Sequence, residues 1–175
     1  MNFFTSDTHF GHQNIIKYAN RPFSSVKEMD EVLIAKWNNK VKSTDTVYFL
    51  GDFCFKRCAE APDGFPFEYY RTKLNGSIVF IQGNHDKSNG FRPILQAGVI
   101  EFGGHHIYLV HKPEHMNTTY PLGFVGHVHD HWKFMKVQDS IMINVGVDQW
   151  QYEPIHIHQI NKELAKWKRK NGKVS

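Results

Sequence analysis

The sequence predicts an α/β domain with a largely parallel first half, a mixed or antiparallel second half, and two sheets packed face to face. Three observations carry this reading. Apolar, β-rich segments at 2–6, 46–50 and 77–82 alternate with segments of helical periodicity, which is the mark of crossover connections and a parallel sheet. After Gly98 the strand-like segments follow at short intervals and are joined by hairpin signals. Five apolar runs are each followed directly by Asp, Asn or His, and loops at the carboxyl ends of parallel strands converge on one crevice.

The elements follow in order. Asn2 to Ser6 reads as a short strand that ends at Asp7. Val26, Met29, Val32, Leu33, Trp37 and Val41 recur at helical spacing and predict an amphipathic helix from about Ser25 to Val41. Thr46 to Leu50 is a strand that stops at Gly51-Asp52. A second helix is predicted from about Pro66 to Leu74, with Asn75-Gly76 as its stop. Ser77 to Gln82 is a buried strand that stops at Gly83-Asn84-His85-Asp86. Val99 to Phe102 and His105 to Val110 flank Gly103-Gly104, and Trp132 to Val137 and Ile141 to Val145 flank Gln138-Asp139-Ser140, giving two hairpins. Ile155 to Ile160 alternates and is expected as a half-exposed strand, followed by a basic helix from about Lys162. No repeat, low-complexity segment or Ser/Pro linker interrupts the chain, so one domain spanning 1–175 is expected.

Composition bounds the function classes. With 175 residues, 41% hydrophobic and 14% aromatic, the chain can fill a substantial core. Its apolar runs, such as Ile78 to Ile81, fall far short of the ~20 residues a spanning helix needs. No basic region followed by a longer apolar stretch opens the chain, so the expected location is the cytoplasm, with no membrane partner. Cys54 and Cys58 lack the C-x-x-C spacing and are expected as two reduced, unrelated thiols. The net charge of +4 suits an anionic partner, although Lys162, Lys166, Lys168, Arg169, Lys170 and Lys173 form the kind of run that is usually a solvated helix face. Oligomeric state is not legible.

The twelve histidines are dispersed and sit beside Asp, Asn and Gly. Candidate ligands stand in Asp7-Thr8-His9, Gly51-Asp52, Gly83-Asn84-His85-Asp86, Val110-His111 and Gly126-His127-Val128-His129. In extended backbone, residues two apart point the same way, so Asp7 with His9, or His127 with His129, can serve one site. A mixed nitrogen and oxygen set suits Mn²⁺, Fe, Zn²⁺ or Co²⁺ better than Ca²⁺. So many donors exceed the needs of one zinc, and two ions with a bridging carboxylate fit better. No G-x-S-x-G elbow or H-E-x-x-H helix is present, which disfavours a serine hydrolase and excludes a zincin.

The segments DTH, GD, GNHD, H and GHVH, in this order, closely resemble the calcineurin-like metallophosphoesterases, and SDTHFGH and INVGVD look like the small bacterial and phage members. The resemblance implies a four-layer α/β/β/α sandwich of two mixed sheets flanked by helices. It implies that Asp7, His9 and His129 hold one metal, that Asn84, His111 and His127 hold the second, and that Asp52 bridges them. His85 would be the catalytic general acid, with Asp86 as the carboxylate orienting it. Two ions would generate hydroxide near neutral pH for attack on a phosphate ester, a phosphodiester rather than a monoester. Mn²⁺ is the favoured metal, with Fe, Zn²⁺, Ni²⁺ or Co²⁺ as alternatives. Because ligand imidazoles must be neutral, activity is expected to fall below about pH 5.5. Competing expectations are a metal-binding scaffold without turnover and a nuclease or nucleic-acid-binding member of the same fold, with a nucleotide or nucleic acid as partner. His12 either contacts substrate phosphate or caps the next helix; Lys56 and Arg57 are expected as exposed loop charges, and Asp148 as a partner behind a ligand or a turn residue.

Overall fold

The computed structural model describes residues 1–57 and 65–171. Their order is β1 (Asn2–Thr5), α1 (Ile15–Tyr18), α2 (Val26–Lys40), β2 (Thr46–Leu50), α3 (Pro66–Arg71), β3 (Ser77–Ile81), β4 (Ala97–Phe102), β5 (His105–Val110), β6 (Leu122–Val125), β7 (Phe134–Val137), β8 (Ser140–Asn144), β9 (Ile155–His156) and α4 (Ile157–Asn171). One sheet has the order β3-β2-β1-β9, the other β4-β5-β6-β8-β7. In the first, β1, β2 and β3 are parallel and β9 is antiparallel. In the second, β5, β6 and β8 are parallel, with β4 and β7 as antiparallel edges. Both sheets are therefore mixed.

Period-two alternation sorts each strand between two apolar layers. Phe3, Val47 and Phe49 join Met29, Leu33 and Trp37 of α2 on the outside of the first sheet. Phe4 and Leu50, one residue along, meet Ile107, Leu109, Phe124 and Ile143 of the second sheet. Phe4 and Phe124 touch edge to face at 4.8 Å, which fixes the sheets face to face. On the far side of the second sheet, Val110, Val125 and Met142 are covered by Met116 and Trp132. Helix α2 begins where its cap dictates: the Ser25 hydroxyl accepts the Glu28 N–H at 3.2 Å, and the Glu28 carboxylate accepts the Ser24 N–H at 2.8 Å.

The expected strand from Ile155 to Ile160 is corrected. Only Ile155 and His156 pair with β1, and the chain then turns into α4 at Ile157, before the expected Lys162. The segment satisfies both periods, but Ile157, Ile160 and Leu164 are buried at i, i+3 and i+7, and this helical stripe wins by entering the core between the sheets. Helix α3 is also shorter than expected, ending at Arg71 and continuing to Leu74 as turns. Among the described residues, no helix is long and apolar enough to cross a membrane. Cys54 is buried; Cys58 and Lys173 lie outside the described residues.

Candidate metal centre

Because β1, β2 and β3 run in parallel, Asp7, Asp52 and Asn84 follow them at one sheet edge. His111 and His127 follow β5 and β6 in the same way. The two sheets are laced together at this edge. Val147 N–H donates to Ser6 O at 3.1 Å, and His127 N–H to both Asp7 carboxylate oxygens at 3.1 and 3.0 Å; within the second sheet, Gly126 N–H donates to His111 O at 2.9 Å. Asp7 N–H donates to Gly51 O, and His9 N–H to Asp52 O, at 3.0 and 3.1 Å. Asp30 of α2 accepts the Gly11 N–H and the Tyr70 hydroxyl, which pins the loop that carries His9.

Two groups of potential ligands result. Asp7, His9 and His129 form one; Asp52, His111 and His127 form the other, with donor atoms within 4.8 Å of one another in each group. Asp52 Oδ2 lies 3.7 Å from His9 Nε2 and 3.4 Å from His111 Nε2, so this carboxylate stands between the groups. Asn84 Oδ1 lies 2.9 Å from His111 Nε2. The other Asp52 oxygen accepts the His85 backbone N–H at 2.9 Å, which ties the exposed His85 to the same carboxylate.

Five of these residues have left-handed backbone: Asp7 (φ 58°), His9 (49°), Asp52 (60°), His127 (73°) and His129 (44°). Such backbone costs on the order of 1–3 kcal/mol per residue in non-glycine positions and collects at functional sites. The hydrogen bonds above hold it in place at Asp7, His9 and His127, and the Asn144 and Gln149 side-chain amides each donate to His129 O at 2.9 Å. At Gly51 (φ 85°) a side chain is impossible for a second reason: a Cβ would lie 2.5 Å from Gly83 Cα and 2.7 Å from His111 Nδ1.

The electrostatics fit divalent cations. Asp7 and His9 are buried, and His9 Nε2 has no hydrogen-bond partner although no solvent reaches it. Burial pushes the Asp7 carboxyl up and the His9 imidazole well down, both toward neutrality. A neutral imidazole with an unused, buried lone pair beside a carboxylate is the donor set a transition metal takes.

The remaining candidates fall as follows. Asp86 was expected to orient His85, but its oxygens accept the backbone N–H groups of Asp52, Phe53 and Gly83 at 3.2, 3.0 and 2.6 Å. It therefore ties the loops after β2 and β3 together, because three converging amide donors take up a buried carboxylate. His12 is half-buried and stacks on Phe55 at 4.7 Å, with His9 at 5.7 Å. Lys56 and Arg57 are exposed, as are His105, His106, His115, His131 and His158. Sequence reasoning missed Arg21, which is buried and bonded to Asp148; an isolated Arg before Pro-Phe gives no periodic signal.

His111 carries a testable consequence for the protein freed of metal. Burial alone would lower its pKa, but the Asp52 hydrogen bond and the charges of Asp7 and Asp52 prevail and raise it to about 9. A raised histidine contributes stability that is complete below its unfolded value of 6.5 and is lost as pH rises through 9. The depressed His9 and His127 oppose the trend only near pH 6.5, where their unfolded forms are still losing protons, and the raised His129 adds to it. Chelated protein should therefore lose thermal stability between pH 6.5 and 9, while metal affinity rises as the ligand proton leaves. Thermal unfolding with chelator, beside metal titration at both pH values, checks this; a slope unchanged in His111→Gln would show another group to be responsible.

No protein-family model matches the chain. It is 41% identical over 169 residues to the uncharacterized protein MJ1445 of Methanocaldococcus jannaschii, covering 93% of this chain and 90% of that one. Among solved structures, a protein of unknown function from Aquifex aeolicus is similar at a TM-score of 0.66 and 26% identity, covering 93% of this chain and 98% of its own. The Pseudomonas putida nuclease MPE shares the fold at a TM-score of 0.51 and 21% identity, covering 82% and 72%. Five motif segments in order, the two donor groups they build and this two-sheet fold agree with the resemblance to the calcineurin-like metallophosphoesterases.

Proposed function

We propose that the chain is a cytoplasmic hydrolase of phosphate esters, with phosphodiesters preferred, that works with two divalent ions. The observation that carries this reading is the Asp52 carboxylate, standing between two His/Asp groups and holding the backbone of an exposed histidine. Asp7, His9 and His129 would hold one ion, Asn84, His111 and His127 the other, and Asp52 both; Mn²⁺ is favoured, and Fe, Zn²⁺, Ni²⁺ or Co²⁺ suit the same donors. When bound, such a pair activates water and neutralises charge on the phosphoryl oxygens.

The chain's own groups supply the rest. His85 is exposed beside the centre and would donate a ring proton to the departing alkoxide, a contribution of roughly 10²–10⁴-fold. Its ring lies 5.9 Å from that of His9. A pocket of about 220 Å³ lined by Gln82, Asn84, Gln96, His111, Lys112 and His115 offers polar and cationic walls to the substrate. The preference for a diester rests on the exposure of Asn84 and His85, which leaves room for a second ester arm.

Purified protein should hydrolyse bis-p-nitrophenyl phosphate faster than p-nitrophenyl phosphate, only with added Mn²⁺ or a related ion, and His85→Ala should lose most of the turnover while still binding metal. Metal binding without turnover of either ester would favour a scaffold. The exposed Lys162, Lys166, Lys168, Arg169 and Lys170 of α4 favour nucleic acid as the extended diester, and the fold neighbour from P. putida is named a nuclease. Salt-dependent retention on immobilised DNA or RNA tests that extension.

A further inference from the structure

The first donor group is tied to a buried ion pair that the chemistry above does not use. Arg21 and Asp148 lie 127 residues apart, yet their side chains are 0% and 1% exposed and joined at 2.8 Å, Nε to Oδ1. Arg21 Nη2 also donates to Asp148 Oδ2 at 3.1 Å and to Asp7 O at 2.6 Å, and Nη1 donates to Thr8 O at 2.9 Å. Asp148 Oδ2 in turn meets His129 Nδ1 at 2.9 Å. One guanidinium and one carboxylate thus link the strand end that carries Asp7 and His9 to the loop that carries His129. All three donors sit on left-handed backbone, which such contacts must hold.

We infer that Arg21 and Asp148 are positioning residues for the first ion alone: the pair fixes the Asp7–His9 segment and holds His129 as its Nδ1–H tautomer, leaving the Nε2 lone pair for the metal. This inference rests on the two-metal reading. A carboxylate accepts only, so the neutral His129 ring must place its proton on Nδ1. Arg21 cannot exchange roles, because a guanidinium only donates. The donors of the second group are held otherwise: His111 Nδ1 faces Leu50 O at 2.7 Å, and Asp52 accepts from His85. A buried ion pair is weak grounds for stability by itself, since desolvation offsets its attraction. Its place behind one of two donor groups gives it a selective task.

Asp148→Asn separates these roles without changing shape. Arg21 would keep the amide oxygen, turning the amide N–H groups toward His129 Nδ1, which must then accept and move the ring proton to Nε2. Nitrogen-15 NMR of the metal-free protein, at a pH where His129 is neutral, should show Nδ1–H in the wild type and Nε2–H in the variant. Mn²⁺ titration should show two sites in the wild type; in Asp148→Asn one should weaken by about 10–100-fold and the other should keep its affinity. An Nε2–H tautomer in the wild type overturns the inference and needs no variant to fold. Equal weakening of both sites, or none, overturns it as well. Wild type that takes up no Mn²⁺ would remove the two-metal reading itself, a result distinct from the loss of selectivity alone.

Discussion

Asp52→Asn is expected to reduce turnover by roughly 10³-fold, the upper end of what removal of one preorganised electrostatic group costs, while the protein keeps its fold. The substitution is isosteric, so the β2 loop retains its backbone contacts. What changes is charge and donor sense. Asp52 Oδ2 stands 3.7 Å from His9 Nε2 and 3.4 Å from His111 Nε2, and Oδ1 holds the His85 N–H at 2.9 Å. An amide offers one acceptor where the carboxylate offers two: if its oxygen stays on His85 N–H, its NH₂ group faces the donor histidines and repels a cation. If it turns, His85 loses its anchor. Either way the ions lose the anionic donor they would share. Kinetics with bis-p-nitrophenyl phosphate, metal titration and circular dichroism check this together; more than a tenth of wild-type turnover with two ions bound would show that Asp52 does not join the two groups.

Much of the fold was legible because strand burial here is nearly symmetric. Phe3 and Phe4, or Phe49 and Leu50, face opposite layers that are both apolar, so the strands read as continuous hydrophobic runs that stop abruptly at polar residues. The stops were the ligand positions, which is why the candidate residues came out together. Strand β6 was less visible. Gly123 and the preceding Pro121 break its apolar run in the sequence, and in the fold the Met116 side chain fills the space a Cβ at Gly123 would occupy. Ile155 to Ile160 misled for the opposite reason, since one string of residues met both periodicities and tertiary packing chose between them.

The site was legible in its ligands and hidden in its supports. Nothing local marks Asp7, His9, Asp52, His127 and His129 as left-handed; glycine or asparagine would ordinarily advertise such backbone, and here the chemistry of the side chain overrides that preference. Asp86 was read as a partner of its sequence neighbour His85, whereas its carboxylate serves three backbone amides, two of them more than 30 residues away. Arg21 meets Asp148 across nearly the whole chain. Motifs list the atoms that touch a ligand; the groups that hold those atoms are set by three-dimensional proximity.

That division predicts a large effect from a residue with no side chain. Gly83→Ala removes no donor, and Gly83 has no left-handed φ, so alanine is conformationally allowed. Its Cβ would collide with Asp52, meeting Oδ1 and the backbone N closely and Cγ at 2.9 Å. Asp52 cannot step aside freely, because Asp86 holds both its N–H and the Gly83 N–H, at 3.2 and 2.6 Å. The methyl group must therefore displace the carboxylate between the donor groups or spread the β2 and β3 loops. Overpacking of this kind costs roughly 1–3 kcal/mol of stability, and a misplacement of about 1 Å at a catalytic group costs on the order of 10²-fold in rate. Gly98→Ala is the control, since nothing lies within 4 Å of a Cβ there. Turnover, Mn²⁺ affinity and melting temperature should all fall in Gly83→Ala and remain near wild type in Gly98→Ala. Equal behaviour of the two variants would mean that the Asp52 carboxylate has slack at the centre, and a bridging role that depends on sub-ångström placement would then be untenable.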